Sequence, residues 1–187
     1  MYKDSDGVFS IRKLLLEDID SEYLSWFENH DGHLDYFTGS GRKFTKEIIV
    51  DDYNLGLKSG KWFYFLIESS EGEKIGNVKI GPIDLKNKTS DLVCLVGNRK
   101  YLGQGIAYRA IKITSDIAFK IHDIRRLHGG MYENNIPSIK AYTKAGWNIE
   151  GRMKGYYMVP GGAEDRICVF CLNPKYFPDV KGENDEG

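Results

Sequence analysis

Two stretches of the chain combine residue types and spacings that can do chemistry. The first is Leu102-Gly103-Gln104-Gly105-Ile106-Ala107. Glycines at 103 and 105 let the backbone curl so that several N–H groups converge on one point. A helix opening directly behind them adds partial positive charge there. That arrangement suits a pyrophosphate, and taken alone it is equally a tight strand–helix turn. No Lys-Ser/Thr pair follows, so it is not a P-loop. The third glycine of a dinucleotide fingerprint is missing. The second stretch runs from Glu133 to Trp147 and carries Asn135, Ser138 and Tyr142 in the pattern N-x-x-S-x-x-x-Y, followed by Gly146-Trp147. Tyr142 lies one turn past Ser138 on the same side of a helix. Taken alone, Asn135 is a helix cap and Tyr142 a core residue.

The elements that position these residues follow from periodicity. Ile106, Ala110, Ile113, Ile117 and Ile121 recur at spacings of four, three, four and four, which predicts a helix over Gly103 to Ile121. A short helix is predicted from Asn135, with Pro137 in its first turn, to Ala145, with Gly146 closing it. Apolar runs predict strands at Val8 to Leu14, Lys61 to Glu68, Lys74 to Ile80 (limited by Pro82), Thr89 to Val96 and Arg126 to Tyr132. A last hairpin, Trp147 to Val159 and Glu164 to Leu172, turns at Pro160-Gly161-Gly162. Ile19, Tyr23, Trp26 and Phe27 stand at helical spacing behind the acidic Glu17, Asp18 and Asp20. Thr45 opens a further helix to about Lys58. This order gives an α+β fold with a mixed, mostly antiparallel sheet flanked by helices.

The 187 residues suit one domain, expected over 1–175, with a flexible acidic tail over 176–187. Lys+Arg 26 against Asp+Glu 27 leaves a net charge of -1, which argues against non-specific nucleic-acid binding. No apolar run approaches a membrane span, and the first ten residues lack a signal-peptide core. Cys94, Cys168 and Cys171 fit no disulfide framework, and Cys168 and Cys171 sit in a strand-like run without a second metal-ligand pair. They are expected to be buried and reduced, in a cytoplasmic protein. His30 and His33 flank Asp31, a cluster that reads as a solvated loop rather than a metal site.

Together, residues 102–107 and 135–147 resemble the acyl-CoA motif and the N-x-x-S-x-x-x-Y-x-x-x-G-F motif of the GNAT family of N-acetyltransferases. The opening Ser10-Ile11-Arg12-Lys13-Leu14 with Glu17-Asp18 resembles its first strand and helix. Leu102 departs from the usual Gln or Arg. Tyr23-Leu24-Ser25-Trp26, Tyr36-Phe37-Thr38 and Leu95-Val96-Gly97 resemble the RimJ/RimL-like branch, including members that acetylate amino sugars.

The resemblance implies acetyl-CoA as cosubstrate, without a metal, lying between the Thr89–Val96 and Arg126–Tyr132 strands. It implies a cofactor site of Leu95, Val96, Leu102, Gly103, Gln104, Gly105, Ile106, Ala107, Asn135 and Ser138. Tyr142 would protonate the departing thiolate, as a phenol of pKa about 10 can. Glu133 is the first choice of base, then His128, then Asp165, and some members use water chains instead. Trp26, His30, Tyr36 and Phe37 are expected at the acceptor, with Arg42 favoured over Lys43 for a phosphate. The expected acceptor is a small-molecule amine, first a nucleotide-linked amino sugar of surface glycan synthesis. A protein N-terminus, or a non-catalytic acyl-CoA-binding role, is the alternative. The expected state is a monomer or homodimer.

Overall fold

A computed structural model describes residues 1–28, 32, 34–36 and 44–178. The strands are β1 Tyr2–Lys3, β2 Phe9–Lys13, β3 Phe63–Ser69, β4 Lys74–Asp84, β5 Thr89–Val96, β6 Arg126–Tyr132, β7 Asn148–Val159 and β8 Gly162–Leu172. The helices are α1 Ser21–Ser25, α2 Lys46–Ser59, α3 Ile106–Lys120 and α4 Ile136–Lys144. The strands form one sheet in the order β1-β2-β3-β4-β5-β6-β8-β7. Every neighbouring pair is antiparallel except β5 and β6. That is the mixed, mostly antiparallel sheet flanked by helices that the sequence predicts.

The β5–β6 pair decides the architecture of the site. It is in register only at Thr89↔Arg126, Ser90↔Leu127 and Asp91↔His128. Beyond Asp91 the two strands part. β5 continues along β4 to the Gly76↔Val96 pair, and β6 continues along β8 to Tyr132↔Arg166. A wedge opens between them in the middle of the sheet.

α3 packs against β5 and α4 through Ile106, Ala110, Ile111, Ile117 and Ala118, all buried. Each such isoleucine contributes roughly 1.5–3 kcal/mol over an exposed position. Trp147 is fully buried beneath this layer and donates from Nε1 to Ser115 Oγ at 3.1 Å. A second core under α1 and α2 gathers Leu14, Ile19, Tyr23, Trp26 and Leu66.

Several boundaries differ from the sequence reading, each for a local reason. The helix expected around Ile19 to Phe27 is a 3-10 turn, Leu16–Asp18, followed by the five-residue α1. Asp18 ends the turn by accepting from Arg12 Nη1 and Nη2, at 2.7 and 2.8 Å, and from the Leu15 N–H at 2.7 Å. Asp20 then caps α1 by accepting from the Tyr23 N–H at 3.1 Å. Pro82 does not end β4, because a bulge between Ile80 and Ile83 takes it out of the ladder. The short β1 and a 3-10 turn at Arg99–Tyr101 carry too little periodicity to be predicted.

Tyr176 and Phe177, at the start of the expected tail, make contacts with the domain. The Tyr176 hydroxyl contacts Asp123 at 2.8 Å and Lys88 at 2.7 Å, and the Phe177 ring lies under Arg125. Asp179 to Gly187 lie outside the described residues. Among the described residues, no helix is long and apolar enough to cross a membrane.

Candidate active site

A cavity of about 190 Å³ fills the wedge. Its walls are Asp91 to Leu95 of β5, Gly130 and Met131 of β6, and Asn135, Ser138 and Tyr142 of α4, with Leu34 and Tyr36 across the mouth. Five of the residues singled out from sequence, Tyr36, Leu95, Asn135, Ser138 and Tyr142, thus meet around one space.

Tyr142 is buried, its ring edge-on to Trp147 at 4.9 Å between centroids. Its hydroxyl donates to the Leu92 carbonyl at 2.7 Å, and the Cys94 N–H is directed at its oxygen. Burial, then the nearby Cys94 and Asp91, holds the phenol well above its ordinary pKa. It therefore stays protonated at neutral pH, the state an acid needs. Asn135 caps α4 by accepting from the Ser138 N–H at 3.2 Å, so the cap and the cavity wall are the same residue.

The glycine loop has the geometry its sequence calls for. Gly103 and Gly105 have φ of 75° and 72°, the left-handed region where a side chain is strained. Gly105 is the N-cap of α3 and brings no side-chain cap. The first N–H groups of α3, which have no intrahelical partner, therefore remain available to an anion. The helix starts at Ile106 rather than Gly103 because both glycines are spent on this turn. Leu102 is exposed, Ile106 and Val96 point into the core, and Gln104 folds back onto the Lys100 carbonyl at 2.7 Å. Arg109 ties the loop to the N-terminal segment through Asp4 at 2.6 Å.

The candidate bases separate. Glu133 is bound to Arg152 and accepts from the Asp165 N–H at 3.2 Å. Asp165 is held well below the usual carboxylate range by Lys154 at 2.9 Å, the Gly155 N–H at 2.8 Å and Arg152. Neither carboxylate is in the cavity wall. His128 stands where the wedge closes, in register with Asp91.

Asp91 is the residue that sequence reasoning missed. Its side chain is half-buried in the cavity wall, and desolvation pushes its pKa up against the opposing His128, the Leu92 N–H, Arg166 and Lys79. The signal was present, since an acid at Ser90-Asp91-Leu92 interrupts an otherwise apolar strand. Cys94 also faces the cavity, but burial lifts its thiol to about 12, which leaves it no nucleophilic thiolate.

Of the expected acceptor contacts, Tyr36 reaches the mouth, edge-on to Tyr132 at 5.6 Å. Trp26 does not. It is 4% exposed and its ring lies over Gly97, so it packs α1 onto the sheet. His30, Phe37, Arg42 and Lys43 lie outside the described residues, as do Asp31 and His33. Among the described residues, no group of three His, Cys, Asp or Glu is placed to hold a metal ion.

The profile of the Acetyltransferase (GNAT) domain family matches residues 9–148. The chain is a GNAT acetyltransferase. This acetyltransferase is 24% identical over 163 residues to spermidine N(1)-acetyltransferase of Escherichia coli K12, covering 86% of each chain. It is 24% identical to the probable N-acetyltransferase YjcK of Bacillus subtilis, covering 75% of this chain and 76% of that one. Its fold matches spermidine N-acetyltransferase of Vibrio cholerae, solved with CoA and spermine, at a TM-score of 0.79 and 18% identity. That match covers 90% of this chain and 98% of the other. The acetyltransferase uses acetyl-CoA, and the uncapped α3 terminus and the open wedge suit its pyrophosphate and pantetheine arm.

Proposed function

We propose that this acetyltransferase transfers acetyl from acetyl-CoA to a primary amine on a small molecule, with Asp91 facing the amine and Tyr142 facing the sulfur. The observation that carries this reading is that both groups line one cavity at the point where β5 and β6 part. Placing amine and thioester in that space supplies much of the acceleration. The N–C bond forms as the C–S bond breaks. The proton leaving nitrogen goes to Asp91, and the phenol proton of Tyr142 goes to sulfur. Water then returns a proton from Asp91 to Tyr142, leaving the amide and free CoA thiol.

A raised carboxyl pKa makes Asp91 a better proton acceptor than an ordinary aspartate. Glu133 and Asp165 are less suited, because both are engaged with Arg152. Leu34 and Tyr36 narrow the mouth, which favours a small molecule over an extended peptide.

Two acceptor classes fit this reading. The relatives named for spermidine support a polyamine. The stacked Tyr132 and Tyr157, 3.8 Å between centroids, support an amino sugar whose ring lies on a tyrosine face. A panel of amines at fixed acetyl-CoA, followed by release of free thiol, tests the proposal. Thiol release matched by acetylated small-molecule product supports it, and acetylation confined to peptide N-termini overturns it. The three unbonded cysteines suit a cytoplasmic setting.

A further inference from the structure

Gly130 lines the cavity, and the Arg166 side chain lies flat against it. A Cβ at position 130 would stand 1.8 Å from Arg166 Nε and 2.5 Å from Cζ, so only glycine admits the guanidinium there. Arg166 is the register partner of Tyr132, which puts both on the sheet face that Tyr36 covers. Its Cζ lies 4.9 Å over the Tyr156 ring, and its charge is felt by Asp91 and by Tyr157. Among the described residues it makes no ion pair, and its Nε is buried without a hydrogen-bond partner. Two residues earlier on the same face, Glu164 Oε2 is also buried and unpartnered.

Buried polar atoms in folded proteins are nearly always satisfied, and the Arg166 Nε is not, although the side chain as a whole is half-buried. Among the described residues, four other arginines are ion-paired: Arg12 with Asp18, Arg109 with Asp4, Arg126 with Glu150, Arg152 with Glu133. Arg166 is not, and it lies beside the cavity, against Gly130. A guanidinium braced on an aromatic face presents a planar fork that matches carboxylate or phosphate. A polycation would meet the same fork as repulsion.

We propose that Arg166 is a specificity-determining residue that reads an anionic group, carboxylate or phosphate, on the acceptor whose amine faces Asp91. The acceptor class is then an amine that also bears an acid, and Glu164 accepts from a hydroxyl or N–H of the same molecule. This rests on the acetyltransferase reading above and, between its two acceptor classes, speaks against the polyamine.

Three acceptors of one length isolate the charge: cadaverine, 5-aminopentanol and 5-aminopentanoate. Glucosamine against glucosamine 6-phosphate adds the phosphate arm. In the wild type, kcat/KM is expected to be at least about tenfold higher for one anionic member than for its neutral counterpart, about 1.4 kcal/mol. Cadaverine is expected to be the poorest of its series. Whether the carboxylate or the phosphate gives the larger ratio identifies the source. Arg166→Gln is expected to abolish that ratio while leaving the neutral amine within about threefold, and Arg166→Lys to keep part of it. Cadaverine as good as either anion, or an unchanged ratio in folded Arg166→Gln, overturns the assignment. Failure to acetylate any amine would instead remove the functional reading, and the inference with it.

Discussion

The Tyr142 hydroxyl donates to the carbonyl of Leu92 at 2.7 Å, one residue beyond the last residue of β5 in register with β6. The phenol thus occupies the backbone where the strands separate. It satisfies a buried carbonyl in the resting protein. In the mechanism proposed above it faces the departing sulfur, and a thiolate, a stronger acceptor than a carbonyl, would draw the same proton away from Leu92.

Tyr142→Phe therefore removes two things at once. Turnover is expected to fall about 10²-fold, the low end for a general acid, with acetyl-CoA affinity nearly unchanged. The Leu92 carbonyl loses its partner, which costs about 1–3 kcal/mol. At this chain length that lowers Tm by several degrees. Steady-state kinetics, isothermal titration and a melting curve separate the effects. Equal kcat in variant and wild type would show that another group supplies the proton.

Gly105→Asp places a carboxylate at the N-cap of α3 and a Cβ 2.9 Å from the Tyr108 ring. Acetyl-CoA affinity is expected to fall at least about tenfold, or about 1.4 kcal/mol. Titration calorimetry on folded protein reads this directly. Unchanged affinity would move the phosphates away from this loop.

Asp91 gives a pH signature of definite sign. Burial raises its folded pKa, so the folded protein holds that proton more tightly than the unfolded chain. The charged form costs stability above the folded pKa, and the cost disappears below the unfolded value of about 3.9. Asp91→Asn should raise Tm at pH 7 and match the wild type near pH 3. It should also cut kcat/KM by about 10² or more and remove the acidic limb of the pH profile. A variant that retains that limb would exclude Asp91 as the proton acceptor.

Asp165 behaves in the opposite way. Lys154, the Gly155 N–H and Arg152 depress its folded pKa. It contributes stability above about pH 3.9 that is lost as pH falls through the folded value. Asp165→Asn should lower Tm at pH 7, with the gap closing in acid, and should leave the acidic limb of kcat/KM in place. Glu133→Gln, which breaks the Arg152 pair, should do the same to activity. Loss of the limb in either variant would restore that carboxylate as the base.

Much of this enzyme is local, and local features were legible. The period of the Ile106, Ala110 and Ile117 face specifies α3, and Asn135 with Pro137 specifies the start of α4. Glycines at 103 and 105 specify the left-handed turn before α3, because φ above zero is a property of single residues. β5 and β6 were placed to the residue, Thr89–Val96 and Arg126–Tyr132. Nothing in those runs states that they pair at only three positions, and that partial pairing opens the cavity. Register between strands far apart in sequence is set by the packing of the whole sheet.

The same limit explains the site. Glu133 looked like a base because it follows a strand end, but Arg152, brought alongside by the β7–β8 hairpin, engages it. Trp26 looked like an acceptor contact because it is aromatic and near a loop, but the approach of Gly97 makes it core. Asp91 and Arg166 looked like ordinary strand residues. The roles proposed for them rest on partial burial and on which charges they meet, and tertiary structure alone decides both.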